Sequence, residues 1–108
     1  MAIQLRVYTI NRGKMNDFVR AWVAGVYPLR HAYGFTIPKA WTNAARNEFI
    51  WLLSYDGDDW ERAEAAYYAS PERTTLDPDP AQYIAQPNAS FIEEIALPAL
   101  IGQSQADE

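Results

Sequence analysis

Cysteine is absent from this 108-residue chain, and histidine occurs once, as His31. The first absence excludes disulfides, thiolate metal sites and thiol chemistry together. The second leaves one imidazole, too few for a zinc site, and no carboxylate spacing completes one, so no resident metal or cofactor is expected. Basic clusters are missing as well. Nine Lys and Arg stand against fourteen Asp and Glu, a formal charge of −5, and no two basic residues are adjacent. That balance excludes a nucleic-acid footprint. No stretch approaches the ~20 apolar residues of a membrane span, and the start lacks the basic and apolar regions of a signal peptide. A soluble cytoplasmic protein without a membrane partner is the expectation. Glycine-rich phosphate loops, nucleophile elbows and metal-binding helix motifs are also absent.

What the chain has instead is aromatic and apolar side chains, 14% and 49% of its residues, enough for one packed core. The pattern is densest from Asn47 to Glu61. Phe49, Trp51, Leu53 and Tyr55 share one face of a strand, and Ile50, Leu52 and Ser54 the other, so neither face favours water. This segment reads as a central strand covered on both sides. The helices of so short a chain cover one face, and a second copy is expected to cover the other.

Around that strand the remaining elements follow in order. Ile3, Leu5, Val7 and Thr9 alternate with Gln4, Arg6, Tyr8 and Ile10 as a first strand, ended at Asn11-Arg12-Gly13. From Lys14 to about Tyr33, Met15, Phe18, Trp22, Val26, Leu29 and Tyr33 form one helical stripe, which Pro28 is expected to kink near Tyr27. Gly34 stops the helix. Phe35–Thr42 reads as a second strand, placed at an edge or bulge by Pro38. After the central strand, Asp56-Gly57 turns the chain, Asp58 with Glu61 forms a capping box, and Trp60, Ala63 and Tyr67 mark the inner face of a second helix limited by Pro71. Asp77-Pro78-Asp79-Pro80 caps a short helical turn over Ala81–Ala85, and Phe91 to Leu97 reads as the last strand. Residues 1–98 thus form one domain and 99–108 a flexible tail.

The order β-α-β-β-α-β is the ferredoxin-like plan, an α+β fold whose four-stranded antiparallel sheet is covered by two helices on one face. Burying the other face in a homodimer would pair two sheets into a dimeric α/β barrel. Leu5-Arg6-Val7-Tyr8-Thr9-Ile10 before Gly13-Lys14, then Trp22, Pro28-Leu29-Arg30 and Gly34-Phe35, resemble the NIPSNAP family of dimeric α/β barrels. The strongest parts of the resemblance are Asn47 to Asp56 and Tyr67-Tyr68-Ala69-Ser70-Pro71, and it runs from about Ile3 to Glu94. It implies the ferredoxin-like fold and a homodimer. The wider superfamily it implies spans haem-degrading and cofactor-free monooxygenases, lactone isomerases, polyketide cyclases and proteins with no known reaction. No catalytic residue carries over, because fold does not choose among chemistries.

Candidate site residues therefore come from the pattern itself. Arg6 and Tyr8 share a strand face, next to a last strand expected to bring Glu93 or Glu94 within reach of Arg6. One reading is an ion pair that sets register. The other is a polar floor in which Arg6 holds an anionic group and Tyr8 donates a proton. On an ideal helix His31 faces away from Trp22 and reads as a surface residue, unless a restart at Pro28 turns it toward the cavity as an acid, base or haem ligand. Trp22, Trp60 and Tyr67 lie on helix stripes and read as core. Trp51 of the central strand, with Tyr27 and Tyr68, which lie off the stripes, are the candidates for a ligand cleft. The expected protein binds a small hydrophobic or aromatic molecule between the first helix and the sheet. It could act through Tyr8, His31 or Glu93 as a cofactor-free isomerase, cyclase or monooxygenase. A non-catalytic interaction module and a haem-binding protein are the alternatives.

Overall fold

The computed structural model describes residues 1–100; the expected tail beyond Leu100 lies outside them. Strand β1 spans Ala2–Ile10 and pairs antiparallel with β4, Glu48–Tyr55, setting Arg6 opposite Trp51 and Tyr8 opposite Phe49. The second expected strand is broken into β2, Phe35–Thr36, and β3, Ala40–Asn43, both antiparallel to β4. Between them lies Pro38, which has no backbone donor for the ladder. On the far edge β5, Ile84–Gln86, and β6, Ala89–Ile92, both pair with β1. Six strand segments thus fill four positions in one antiparallel sheet, β5 and β6 beside β1, β1 beside β4, and β4 beside β2 and β3, as an α+β fold.

Three local expectations are corrected. The last strand begins at Ala89 and ends at Ile92, two residues ahead of the predicted start and five short of the predicted end. Val7 donates to the Asn88 carbonyl at 2.8 Å and Ala89 stands opposite Arg6, so Glu93 and Glu94 run past the ladder into exposed chain. The cap of the second long helix, α3 (Trp60–Ala69), is Asp59 and not Asp58, its carboxylate accepting from the Arg62 amide at 3.0 Å. The turn capped by Asp79, with Pro80 at its first position, is a single 3₁₀ turn over Pro80–Tyr83, and the chain is extended again by Ile84.

The first helix is discontinuous, and the break decides what lies beneath it. Helix α1, Met15–Ala21, passes into a π-helical stretch over Trp22–Val26 and resumes as α2, Tyr27–Ala32, with Pro28 in its first turn. A π turn accommodates one residue more than an α turn, which rotates all that follows by ~100°. Arg30, ~80° off the Trp22 direction on an ideal helix, is thereby carried inward. It is 1% exposed.

The core packs between these helices and one face of the sheet. Ile10, Phe18, Trp22, Phe35, Phe49, Trp51, Leu53 and Tyr67 form its centre, joined by edge-on aromatic contacts such as Trp22 against Trp51 at 5.2 Å. The opposite face carries Ile3, Leu5, Val7, Ile50 and Leu52, all half-buried, with Trp41 and Ile92 exposed at 46% and 43%. No described helix is long and apolar enough to cross a membrane.

Candidate functional site

A cavity of about 300 Å³ opens between the first helix, the sheet and α3. Phe18, Trp22 and Val26 wall it from the helix, Tyr8, Trp51 and Ile84 from the sheet, and Tyr67 and Tyr68 from α3. Arg30 and Arg73 line it too, Arg73 from the short helix α4, Pro71–Thr74. Its volume lies at the low end of the ~300–1,000 Å³ usual for ligand pockets, room for about ten waters at ~30 Å³ each or one single-ring molecule. A wider groove of about 600 Å³ outside α1, lined by residues such as Met15, Val19 and Thr42, has no buried charge in its walls.

The polar floor is a triad of charges. Glu64 of α3 receives Arg6 Nη2 at 2.8 Å on one carboxylate oxygen and Arg30 Nη1 at 2.6 Å on the other. Arg6 also donates to the Gln4 side chain at 2.9 Å and to the Tyr8 hydroxyl at 3.1 Å. Arg30 reaches the Tyr68 hydroxyl at 3.3 Å and lies with its guanidinium carbon 3.8 Å from the Tyr67 ring centre. Burial works against the Arg6 charge, but its contacts with Tyr8 and Glu64 outweigh that cost and raise its pKa. Burial likewise favours a protonated Glu64, and the two guanidiniums overcome it and hold the carboxyl below its ordinary value.

Tyr8 is pushed the other way. Burial raises its pKa above the ordinary phenol value, with Arg6 opposing, so near neutrality it keeps its proton. Because a guanidinium only donates, the Tyr8 oxygen is the acceptor in its bond with Arg6, and its own proton remains free for a group in the cavity. Tyr67 is raised by burial too, opposed by Arg30 and Arg73.

The structure brings together Tyr8, Trp51 and Tyr68 of the residues expected at the site. Arg6 stands one step behind, touching Tyr8 and outside the cavity wall, and its carboxylate partner is Glu64 in place of the expected Glu93 or Glu94. Tyr27 is 48% exposed, tilted over Trp22 at 6.0 Å on the outer side of the helix, and does not reach the cavity. His31 is exposed on α2, where its surface reading places it. No lining residue is a histidine, cysteine or methionine, so the cavity offers haem iron no imidazole, thiolate or thioether and does not fit a histidine-ligated haem. Among the described residues no cluster of His, Cys, Asp or Glu has metal-binding geometry.

Glu64, Arg30 and Arg73 were not anticipated. Glu64 had a legible signal, since it lies four residues after Trp60 and three before Tyr67 on the inner stripe of α3, where an acid must find a partner. Arg30 had none without the π turn. Arg73 follows Ser70, which caps α4 by accepting from the Arg73 amide at 3.1 Å, and that local geometry turns its side chain back under Tyr68.

The sequence matches no protein-family model and no curated protein. Solved structures do share the fold. A NIPSNAP domain protein from Burkholderia xenovorans superposes with a TM-score of 0.78 at 19% identity, over 92% of this chain and 99% of that one. A NIPSNAP family protein of unknown function from Agrobacterium tumefaciens gives 0.80 at 13% identity, over 94% of both chains. An antibiotic biosynthesis monooxygenase gives 0.65 at 11% identity, over 89% of this chain and 100% of that one. The chain has the ferredoxin-like fold of the NIPSNAP domain structures, the resemblance its sequence carries, and it is more distantly similar to the monooxygenase.

Proposed function

We propose that this protein is a homodimer in which each subunit binds a small aromatic or hydrophobic molecule in the cavity beneath the first helix. On this reading it transforms that molecule by proton transfer without a tightly bound metal. The observation that carries the reading is the cavity with Tyr8 on its wall, a buried phenol whose oxygen is engaged by Arg6 and whose proton is not. Trp22, Trp51 and Tyr67 wall this space without filling it, which favours a binding pocket over a packed interaction module. A phenol held in that state supports a developing oxyanion on a carbonyl, the common need of isomerases, cyclases and cofactor-free monooxygenases. The likeness to a monooxygenase fold is compatible with this and does not select among them.

The open sheet face supports the dimer, since a band of Leu5, Val7, Ile50 and Leu52 flanked by Trp41 and Ile92 resembles the interior of a sheet sandwich more than a solvated surface.

The pocket is tested by titrating benzamide and benzoate against tryptophan fluorescence, because Trp22 and Trp51 both line it. Saturable quenching by at least one compound, abolished in Val26→Phe with little change in melting temperature, is expected; no response to either up to millimolar concentration refutes the pocket. For the chemistry, single-ring lactones and enolisable ketones are screened for turnover. Tyr8→Phe is expected to lower any rate found by ~10²-fold or more. An unchanged rate removes Tyr8 from that role.

A further inference from the structure

Buried polar atoms without partners are few in folded proteins, and each one calls for a physical explanation. Among the described residues five side-chain atoms are in this condition: Trp22 Nε1, Trp51 Nε1, Tyr67 Oη, Arg30 Nε and Arg73 Nε. All five residues line the same cavity, while the five atoms themselves have almost no surface open to it. Four of these atoms are nitrogens that only donate, and the fifth is a hydroxyl with a proton to place. The free proton of Tyr8 adds a sixth donor, and that of Tyr68, whose oxygen accepts from Arg30, adds a seventh.

Charge points the same way. Among the described residues Arg6 and Arg30 share the single carboxylate of Glu64, which leaves one buried positive charge without a counter-ion. Arg73 has its own partner in Asp79 at 3.3 Å and does not draw on Glu64. A buried unpaired charge is costly, and one negative charge in the cavity would close the account.

We infer that the cavity takes a planar organic monoanion, an aromatic carboxylate or an enolate of similar shape, its charge beside Arg30, its oxygens drawing the hydroxyls of Tyr8 and Tyr67 toward it by small side-chain shifts, and its ring among the aromatic walls. This inference rests on the cavity being a ligand site and specifies the chemical class it takes. It also gives the shared Glu64 a purpose: with a carboxylate for each arginine, the floor would be neutral and an anion would gain little from entering.

The test compares benzoate with benzamide, which has the same shape and one carbonyl acceptor but no charge, in wild type and in Tyr67→Phe. Benzoate is expected to bind at least tenfold more tightly than benzamide. Tyr67→Phe removes a hydroxyl that has no partner in the free protein, so its melting temperature should stay level or rise, while benzoate affinity falls about tenfold and benzamide affinity changes less. A purely structural Tyr67 would leave benzoate affinity unchanged, which overturns the inference. Equal affinities for the two compounds also overturn it while leaving the pocket standing. Binding of neither overturns the pocket and this inference with it.

Discussion

Glu64→Gln is the substitution that most directly probes how the two halves of the core are tied. The carboxylate lies between Arg6 of the sheet and Arg30 of the first helix, at 2.8 and 2.6 Å, with the two guanidiniums 7% and 1% exposed and Glu64 itself 23%. Glutamine preserves volume and one acceptor oxygen, so one arginine keeps a neutral bond. The other faces an NH₂ group, and both lose their counter-charge. Removing one partner of a buried ion pair costs ~3–5 kcal/mol, and the retained acceptor places this change at the lower end, about 3 kcal/mol. For a domain of roughly 100 residues, at ~4–5 °C per kcal/mol, the melting temperature should fall by about 12–15 °C at pH 7. The measurement is thermal denaturation of both proteins at equal concentration, because association would otherwise shift the midpoint.

Acid supplies the control. The folded pKa of Glu64 is depressed, so its stabilisation is fully present above its unfolded value of ~4.3 and is lost as pH falls through the folded value. The gap between wild type and Glu64→Gln should be widest near neutrality and close progressively below pH ~4, where a protonated glutamate resembles glutamine. A difference under about 0.5 kcal/mol at pH 7, or one that does not shrink in acid, would refute the assignment of Glu64 as the shared counter-ion.

Other regions of the fold carry their own expectations. Trp51→Ala removes a side chain 1% exposed at the meeting of Tyr8, Trp22 and Arg6, and should cost ~3–5 kcal/mol by denaturant titration; a loss below 1 kcal/mol would mean the helix collapses onto the sheet. Leu52→Glu combined with Trp41→Glu charges the open sheet face and should convert a dimer to a folded monomer by light scattering, while a wild type already monomeric at micromolar concentration would remove the dimer from the proposal. His31→Ala should leave stability within ~0.5 kcal/mol and benzoate binding unchanged, since the side chain is exposed and outside the cavity; a tenfold loss of binding would restore it to the site.

How far a sequence reveals a site depends on which of its residues obey a period. Trp51 and Tyr8 were legible because strands alternate strictly, and once β1 is aligned with β4, the face shared by Tyr8, Phe49 and Trp51 follows. Trp22 and Phe18 were legible from the helical stripe. Tyr27 was misplaced in the cleft by the same stripe, since being off the apolar line places a residue equally well outside the helix, where it lies. The expected pairing of Arg6 with Glu93 failed for a different reason: it depended on where β6 begins, and strand ends have weak local signals because backbone hydrogen bonds to β1 compete at each register. Glu64, 58 residues away in the chain, took that place.

Composition and periodicity alone determined the α+β class, the succession of strands and helices along the chain, the aromatic core and the absence of thiol chemistry, because each follows from local patterns that any packing must respect. Tertiary structure alone decided the site. The π turn that swings Arg30 inward, the sharing of Glu64 by two arginines and the gathering of unpaired donors around one cavity are relations between segments far apart in the chain. Hydrogen bonding and charge pairing act at a range of ~3 Å, and no spacing along the sequence records which distant groups folding will bring that close.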